Sequence, residues 1–468
     1  MKKSITFLLL TILLTTSCEK IKVTPSENVA VNHFIWKGLN GFYLWQSNVT
    51  DLSDNRFLTT DSYQAFLNSE PSSEQFFENL LYQRNTIDKW SWIVEDYIAL
   101  ENSFQGTSLH NGIEFGLVLE KGSTTAVFGY VRYVLPNTDA SSKNVKRGMI
   151  FNAVNGSKLN INNYRTLLFS NNTSYSINLA DYNNGNPVAN GTSITLSKTE
   201  YTENPVFITK TINSGAKKIG YLMYNSFTTN FDDELNAAFL TLQNDGVTDL
   251  IIDLRYNGGG SVRTAVYLSS MITGQFNGQL FAKKQWNAKI NSANLEENFT
   301  NQINNGVVQE NINSLTLDNV YIITTNSSAS ASELVINGLK PYITVKTVGT
   351  KTHGKYVGSI TLYDSPTLYN KDGINPNHTW AMQPIVLEIQ NKLGDKNIDG
   401  FAPDIELGED FNNLGVLGEL SDPLLNRTIT YITTGAKGKQ NITTGQFNEF
   451  YNSKLALPTG NNMYIEFK

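Results

Sequence analysis

The chain has 468 residues and a formal charge of −6, with 40% hydrophobic, 11% aromatic and only 17% charged residues. A chain of this length divides into about two to four domains, and its 22 Tyr, 24 Phe and 6 Trp can fill their cores. Low charge and high aromatic content disfavour intrinsic disorder, and a negative balance disfavours nucleic acid as a partner. A single cysteine rules out an intramolecular disulfide framework and a multi-cysteine zinc site.

That cysteine is Cys18. It follows a basic start (Met1-Lys2-Lys3), an apolar stretch over residues 5–14 and the small residues Thr15-Thr16-Ser17. This is the layout of a secretory signal peptide. Its apolar stretch of about ten residues is too short for a spanning helix, which needs roughly 20. Residues 1–17 resemble a bacterial lipoprotein signal, although Thr15 stands where such signals usually carry leucine. The resemblance implies lipidation at Cys18 and membrane contact through that lipid alone. The expected location is the cell envelope, as a periplasmic or outer-membrane lipoprotein.

Residues 21–30 are polar and read as a tether. Over 32–103 the apolar spacing is helical, with Ile35, Leu39, Phe42 and Tyr43 on one face. Asp61 and the Pro-Ser-Ser-Glu stretch at 71–74 supply helix starts. A tether and N-terminal helical domain are therefore expected over 18–104. The texture turns β-rich over 105–205, with strands expected at 112–119, 126–131 and 148–156, the last closed by the Asn155-Gly156 turn. A helix is expected near 163–169 and a hairpin tip or loop at 183–191. From 206 to 436 strands and helices alternate. Strands are expected at 219–224, 249–254, 320–324 and 345–349, and helices at 231–244, 260–271 and 330–339. This rhythm predicts an α/β domain with a mostly parallel or mixed sheet. Residues 437–468 read as a polar tail.

Two strand-end loops stand out. In the first, Asp253-Leu254-Arg255 leads through Tyr256-Asn257 into Gly258-Gly259-Gly260. Such a glycine cluster suits an oxyanion hole, a phosphate site or a tight turn equally well. The second is Ser328-Ala329-Ser330-Ala331-Ser332-Glu333, which alone reads as a helix cap. The next loop offers Gly354-Lys355. A serine becomes a nucleophile when a neighbouring base takes its proton, and an unprotonated lysine can do so. That requires burial to lower the lysine pKa from about 10.4 towards roughly 7–8. Gly354 lets the backbone turn Lys355 inward.

These motifs together resemble the tail-specific (C-terminal processing) serine peptidases, in which the base follows the nucleophile by 25 positions, as Lys355 follows Ser330. The resemblance covers most of the chain, and Asp404 and Asp422-Pro423-Leu424 fit its ending. It implies an N-terminal helical domain, a PDZ-like β module and an α/β (ClpP/crotonase-like) peptidase core. It further implies Ser330 as nucleophile, Lys355 as general base, and an oxyanion hole from Ala331 N–H with Gly258 or Gly259. Many members carry glutamine four residues after the lysine. Ser359 stands there, so Ser359, or Glu333 through a water, is the candidate accessory group. Gly112-Ile113-Glu114-Phe115-Gly116 occupies the place of the module's peptide-carboxylate loop. The implied partners are proteins or peptides with accessible C-termini, and no cofactor is implied.

Asp395, Asn397, Asp399, Gly400 and Glu406 match a calcium-loop pattern, but Pro403 falls inside it and the flanks are not helical, so a solvated turn is the better reading. His33, His110, His353 and His378 form no zinc-peptidase motif. The rival function is a catalytically weak or inactive peptide- or ligand-binding lipoprotein on the same fold.

Overall fold

The computed structural model describes residues 27–293, 295–306, 308–438, 449–457 and 459–465. The signal-like segment with Cys18 lies outside the described residues.

Helix Glu27–Phe42 buries Val31, Phe34, Ile35 and Leu39 on one face, as the periodicity requires. Helices Thr60–Leu67 and Ser73–Asn79 follow Thr59 and Ser72, whose hydroxyls accept from Ser62 N (3.2 Å) and Gln75 N (3.2 Å). Each cap contributes about 1 kcal/mol. A short strand, Trp92–Val94, pairs with Ala381–Gln383 and ties this region to the core. It precedes helix Tyr97–Phe104.

The β module sets Ile113–Leu119, Val127–Val134, Ile150–Val154, Ser174–Asp181 and Val188–Ser197 side by side, all antiparallel. Helix Tyr164–Leu168 packs with them through Tyr164 and Leu168. The strand Val188–Ser197 begins inside the segment expected to be a loop. Nearly all of it is exposed, so it carries no apolar alternation to read and is held by pairing with Ser174–Asp181.

In the α/β core, the described strands of the main sheet run in the order Val206–Ser214, Lys217–Tyr224, Asp249–Asp253, Asn319–Thr324, Thr344–Gly349 and Ile405–Glu406. The first pair is antiparallel and the rest are parallel. Leu250, Ile252 and Ile322 share a core with helices Val262–Thr273 and Ala331–Leu339, whereas Ile251 and Ile323 share one with Leu424, Leu425 and Ile429 of helix Pro423–Thr434. Alternate residues thus face opposite layers, which explains the continuous apolar runs. Because Asp249–Asp253, Asn319–Thr324 and Thr344–Gly349 are parallel neighbours, the loops leaving their C-terminal ends meet at one place.

A second sheet has the order Gly260–Ser261, Met463–Tyr464, Val357–Ser359, Ile385–Asn391, Leu280–Trp286 and Glu296–Asn298. The expected polar tail thus supplies one strand here, and another, Glu449–Asn452, on the edge of Ile113–Leu119. No helix among the described residues is long and apolar enough to cross a membrane.

Candidate active site

Ser330 stands immediately before helix Ala331–Leu339, with φ 65° and ψ −116°. A non-glycine residue held there stores about 1–3 kcal/mol of strain. Its side chain is fully buried, and among the described residues its Oγ has no hydrogen-bond partner. Its N–H donates to Glu333 Oε2 at 2.9 Å. The helix start also directs unbonded N–H groups, and hence a partial positive charge, towards Ser330.

Lys355 is brought to Ser330 by the next loop. Gly354 adopts φ +96°, and a Cβ there would lie 2.5 Å from the Ile398 carbonyl oxygen, so only glycine makes this turn. The Lys355 N–H donates to the same Glu333 Oε2 (2.8 Å), while Gly354 N (2.7 Å) and the Thr352 hydroxyl (2.6 Å) donate to Oε1. Glu333 therefore clamps the backbones of both loops, and does not meet the Lys355 ammonium directly. Burial pushes the Glu333 carboxyl up, against the pull of those four bonds. The Lys355 side chain is 1% exposed. Burial pushes its pKa down to about 7, while the charges of Asp88 and Glu333 oppose the shift. Ser330, Lys355, Glu333 and Met463 line one small cavity.

The glycine loop is braced from behind. Asn257 Nδ2 donates to Tyr224 O (2.8 Å), and Asn257 Oδ1 accepts from Gly259 N (2.9 Å). The Asn257 carbonyl receives Ala329 N (3.1 Å) and the Ser332 hydroxyl (2.9 Å), which joins the glycine loop to the serine loop. Arg255 is fully buried and paired with Asp253 (2.7 Å), Asp422 (2.6 Å) and Glu409 (3.3 Å). Three carboxylates offset the desolvation of one guanidinium. Burial would raise the Glu409 carboxyl, but Arg147 and Arg255 hold it at about 2.

Ser359 does not stand in for the missing glutamine by touching Lys355. Its hydroxyl bonds to Asn462 Oδ1 (3.0 Å) and Met463 O (3.3 Å). Lys355 Nζ instead donates to Asn461 O at 2.6 Å. The C-terminal segment therefore lies between Ser359 and the lysine.

In the module, Gly112 N donates to His110 Nδ1 (2.8 Å), Ile113 N to Asn111 Oδ1 (3.2 Å) and Phe115 N to the Ser453 hydroxyl (2.9 Å). Gly116 lies in the strand that pairs with both Val127–Val134 and Glu449–Asn452. Glu114 is buried, with its carboxylate against His110 and Ser453. The remaining histidines contact Tyr63 (His33), Asp364 (His378) and, through the His353 N–H, Ser328 O. Asp404 accepts from Thr347 N at 2.9 Å and braces a core strand. Asp395 accepts from Asn337 and Asn391 through its carbonyl. Among the described residues no three His, Cys, Asp or Glu side chains cluster as metal ligands.

Sequence reading did not find Asn257, Asp88, Asn461 or Asn462. Asn257 had a signal, its place between the Asp253-Leu254-Arg255 run and the triple glycine. The others reach the site only through tertiary contacts.

Residues 218–407 match the model of peptidase family S41, and residues 30–92 match the peptidase S41 N-terminal domain. The chain belongs to peptidase family S41. A probable CtpA-like serine protease of Staphylococcus aureus (strain MSSA476) is 26% identical to this S41 chain over 258 residues, covering 51% of this chain and 49% of the relative. One from Staphylococcus haemolyticus is 26% identical over 175 residues, covering 36% and 32%. The chain thus spans about half or less of the curated relatives it matches. Among solved structures, a putative S41 protease from Bacteroides fragilis NCTC 9343 superposes with TM-score 0.65 at 25% identity, covering 86% of this chain and 97% of that one. The photosystem II D1 C-terminal processing protease superposes with TM-score 0.52 at 18% identity, covering 86% and 100%, a likeness of fold.

Proposed function

We propose that this S41 peptidase chain is a serine endopeptidase, with Ser330 as nucleophile and Lys355 as general base. It cleaves peptide bonds near the C-termini of unfolded or loosely folded envelope proteins. The observation that carries the reading is one carboxylate oxygen, Glu333 Oε2, accepting from both the Ser330 N–H (2.9 Å) and the Lys355 N–H (2.8 Å). It holds a strained serine and a buried lysine in mutual register, and burial pushes the lysine pKa down to about 7.

In the reaction, the neutral Lys355 amine takes the Ser330 hydroxyl proton as Oγ attacks the substrate carbonyl. The oxyanion is received by the Ala331 N–H at the helix start and by Gly258, since Gly259 N–H is engaged by Asn257. Each such donor is worth about 3–4 kcal/mol. The Lys355 ammonium then protonates the departing amine, leaving an acyl-enzyme on Ser330. Lys355 next deprotonates a water that releases the acid and regenerates the hydroxyl. The β module supplies substrate by strand addition at the edge of Ile113–Leu119, and a lipid on Cys18 keeps the enzyme at the envelope. The similarity to a C-terminal processing protease supports the choice of substrate end.

Ser330→Ala and Lys355→Ala should each abolish hydrolysis of unfolded casein while circular dichroism stays native. Unchanged turnover in either variant refutes the assignment.

A further inference from the structure

The C-terminal segment follows two grooves that a peptide would use. Glu449–Asn452 adds an antiparallel strand to Ile113–Leu119, with Tyr451 opposite Leu117 and Asn452 opposite Gly116. On its other side lies the module helix. The Tyr451 ring meets Tyr164 at 5.3 Å and Phe169 at 5.4 Å, and the Arg165 guanidinium sits 4.5 Å above it. This is strand addition to a sheet edge in the mode of a bound peptide.

Beyond Ser453 the segment borders an open cleft shared with the glycine loop, where Lys454 Nζ donates to Asn225 O at 2.7 Å. It then enters the active site. Met463–Tyr464 pairs in parallel with Gly260–Ser261 on one side, and Tyr464 with Ser359 on the other. Ile465 N donates to Ser359 O at 3.0 Å. A Cβ on Gly258 would lie 1.9 Å from Gly460 O, and one on Gly259 2.7 Å from Asn462 O, so the glycine loop and the segment touch backbone to backbone. The consequence for the dyad is direct. Ser330 is 0% exposed with its Oγ unpartnered among the described residues, while Lys355 Nζ is bonded to Asn461 O. A nucleophile covered in this way cannot meet a substrate, so something must move, and the covering strand is the end of the chain.

We propose that residues 449–465 are a resident intramolecular ligand of the peptide path. A substrate segment is cleaved after displacing them, and it binds as an extended strand between Gly260–Ser261 and Val357–Ser359. The inference rests on the Ser330–Lys355 reading. Tethering gives the segment a millimolar-scale effective concentration, so weak individual contacts suffice to keep it in place.

The test uses the full chain with a site-specific protease sequence placed within residues 439–448, cut only after folding and then diluted. Casein hydrolysis should rise at least about tenfold on cutting, and a synthetic peptide of residues 449–468 should reverse the rise by increasing KM at unchanged kcat. The uncut double variant Phe450→Ala, Tyr451→Ala loosens the segment far from Ser330, and its rate should rise several-fold. Measurable hydrolysis whose rate stays the same or falls in both forms overturns the proposal, because the segment then completes the site instead of occupying it. A third arm needs no catalysis: fluorescently labelled peptide should bind the cut, diluted Ser330→Ala chain and be displaced by casein. Absence of rebinding overturns the proposal. Rebinding without hydrolysis by any Ser330-containing form supports the occupancy and refutes the catalytic assignment instead.

Discussion

Replacing Lys355 by methionine should abolish hydrolysis and make the protein more stable, by an amount that depends on pH. At pH 6 the lysine is protonated both in the unfolded chain and in the folded one, whose pKa burial has pushed from 10.5 down to about 7. Folding at that pH carries a charge into a site 1% exposed. The distance between the two pKa values corresponds to about 5 kcal/mol forgone at pH 6, at roughly 1.4 kcal/mol per pH unit. Loss of the bond to Asn461 O returns about 1 kcal/mol of that, so the variant should gain about 3–4 kcal/mol. The unfolded chain holds this proton more tightly than the folded one, so wild-type stability rises with pH between about 7 and 10.5. By pH 9 the folded lysine is neutral, and the advantage of methionine should have shrunk by about 3 kcal/mol. Urea unfolding of both proteins at pH 6 and pH 9, followed by tryptophan fluorescence, reads the two differences. A methionine variant that is less stable at pH 6, or a difference equal at the two pH values, refutes the argument that burial governs this lysine.

The same titration should appear in catalysis: kcat/KM for casein should rise with pH and reach half its plateau near pH 7, which a pH–rate profile checks. Ser330→Gly should remove all activity yet raise stability by about 1 kcal/mol in urea unfolding, because glycine adopts φ 65° without strain. Glu333→Gln turns an amide N–H₂ against backbone donors, so kcat should fall about 10- to 100-fold with little change in KM for a short peptide. Glu409, held at about 2 by Arg147 and Arg255, contributes about 3 kcal/mol above pH 4.5 that is lost as pH falls towards 2. Glu409→Gln should therefore destabilise the protein at pH 7 and flatten its acid unfolding curve.

The glycine and serine loops were legible because their signals are local. A buried apolar strand, a turn and a capped helix read directly from residues 249–260 and 320–339, and the structure moves their ends by two residues or fewer. The second sheet was not legible. Val357–Ser359 and Met463–Tyr464 are three and two residues long, too short to carry an alternation, and Met463–Tyr464 finds its partners at Ser359 and Gly260–Ser261, far back in the chain. The role of Ser359 failed for the same reason. Counting four positions from Lys355 suggests a direct contact, but the hydroxyl reaches Asn462 and Met463 instead. Glu333 was read only as a group acting through a water. Its three backbone donors were missed because backbone N–H groups leave no trace in a sequence.

The Arg255 ion pairs carry a consequence for the order in which the enzyme can come into being. The guanidinium stands at the start of the glycine loop, yet one of its carboxylates, Asp422, lies 167 positions later and also caps helix Pro423–Thr434. Until that aspartate has emerged, Arg255 would have to be buried with part of its charge uncompensated, a penalty of several kcal/mol. A nascent or truncated chain ending before Asp422 thus holds serine and lysine but cannot lock the loop between them. Competence arrives only once Asp422 is in place, and a partly made chain is spared the hazard of being a working protease.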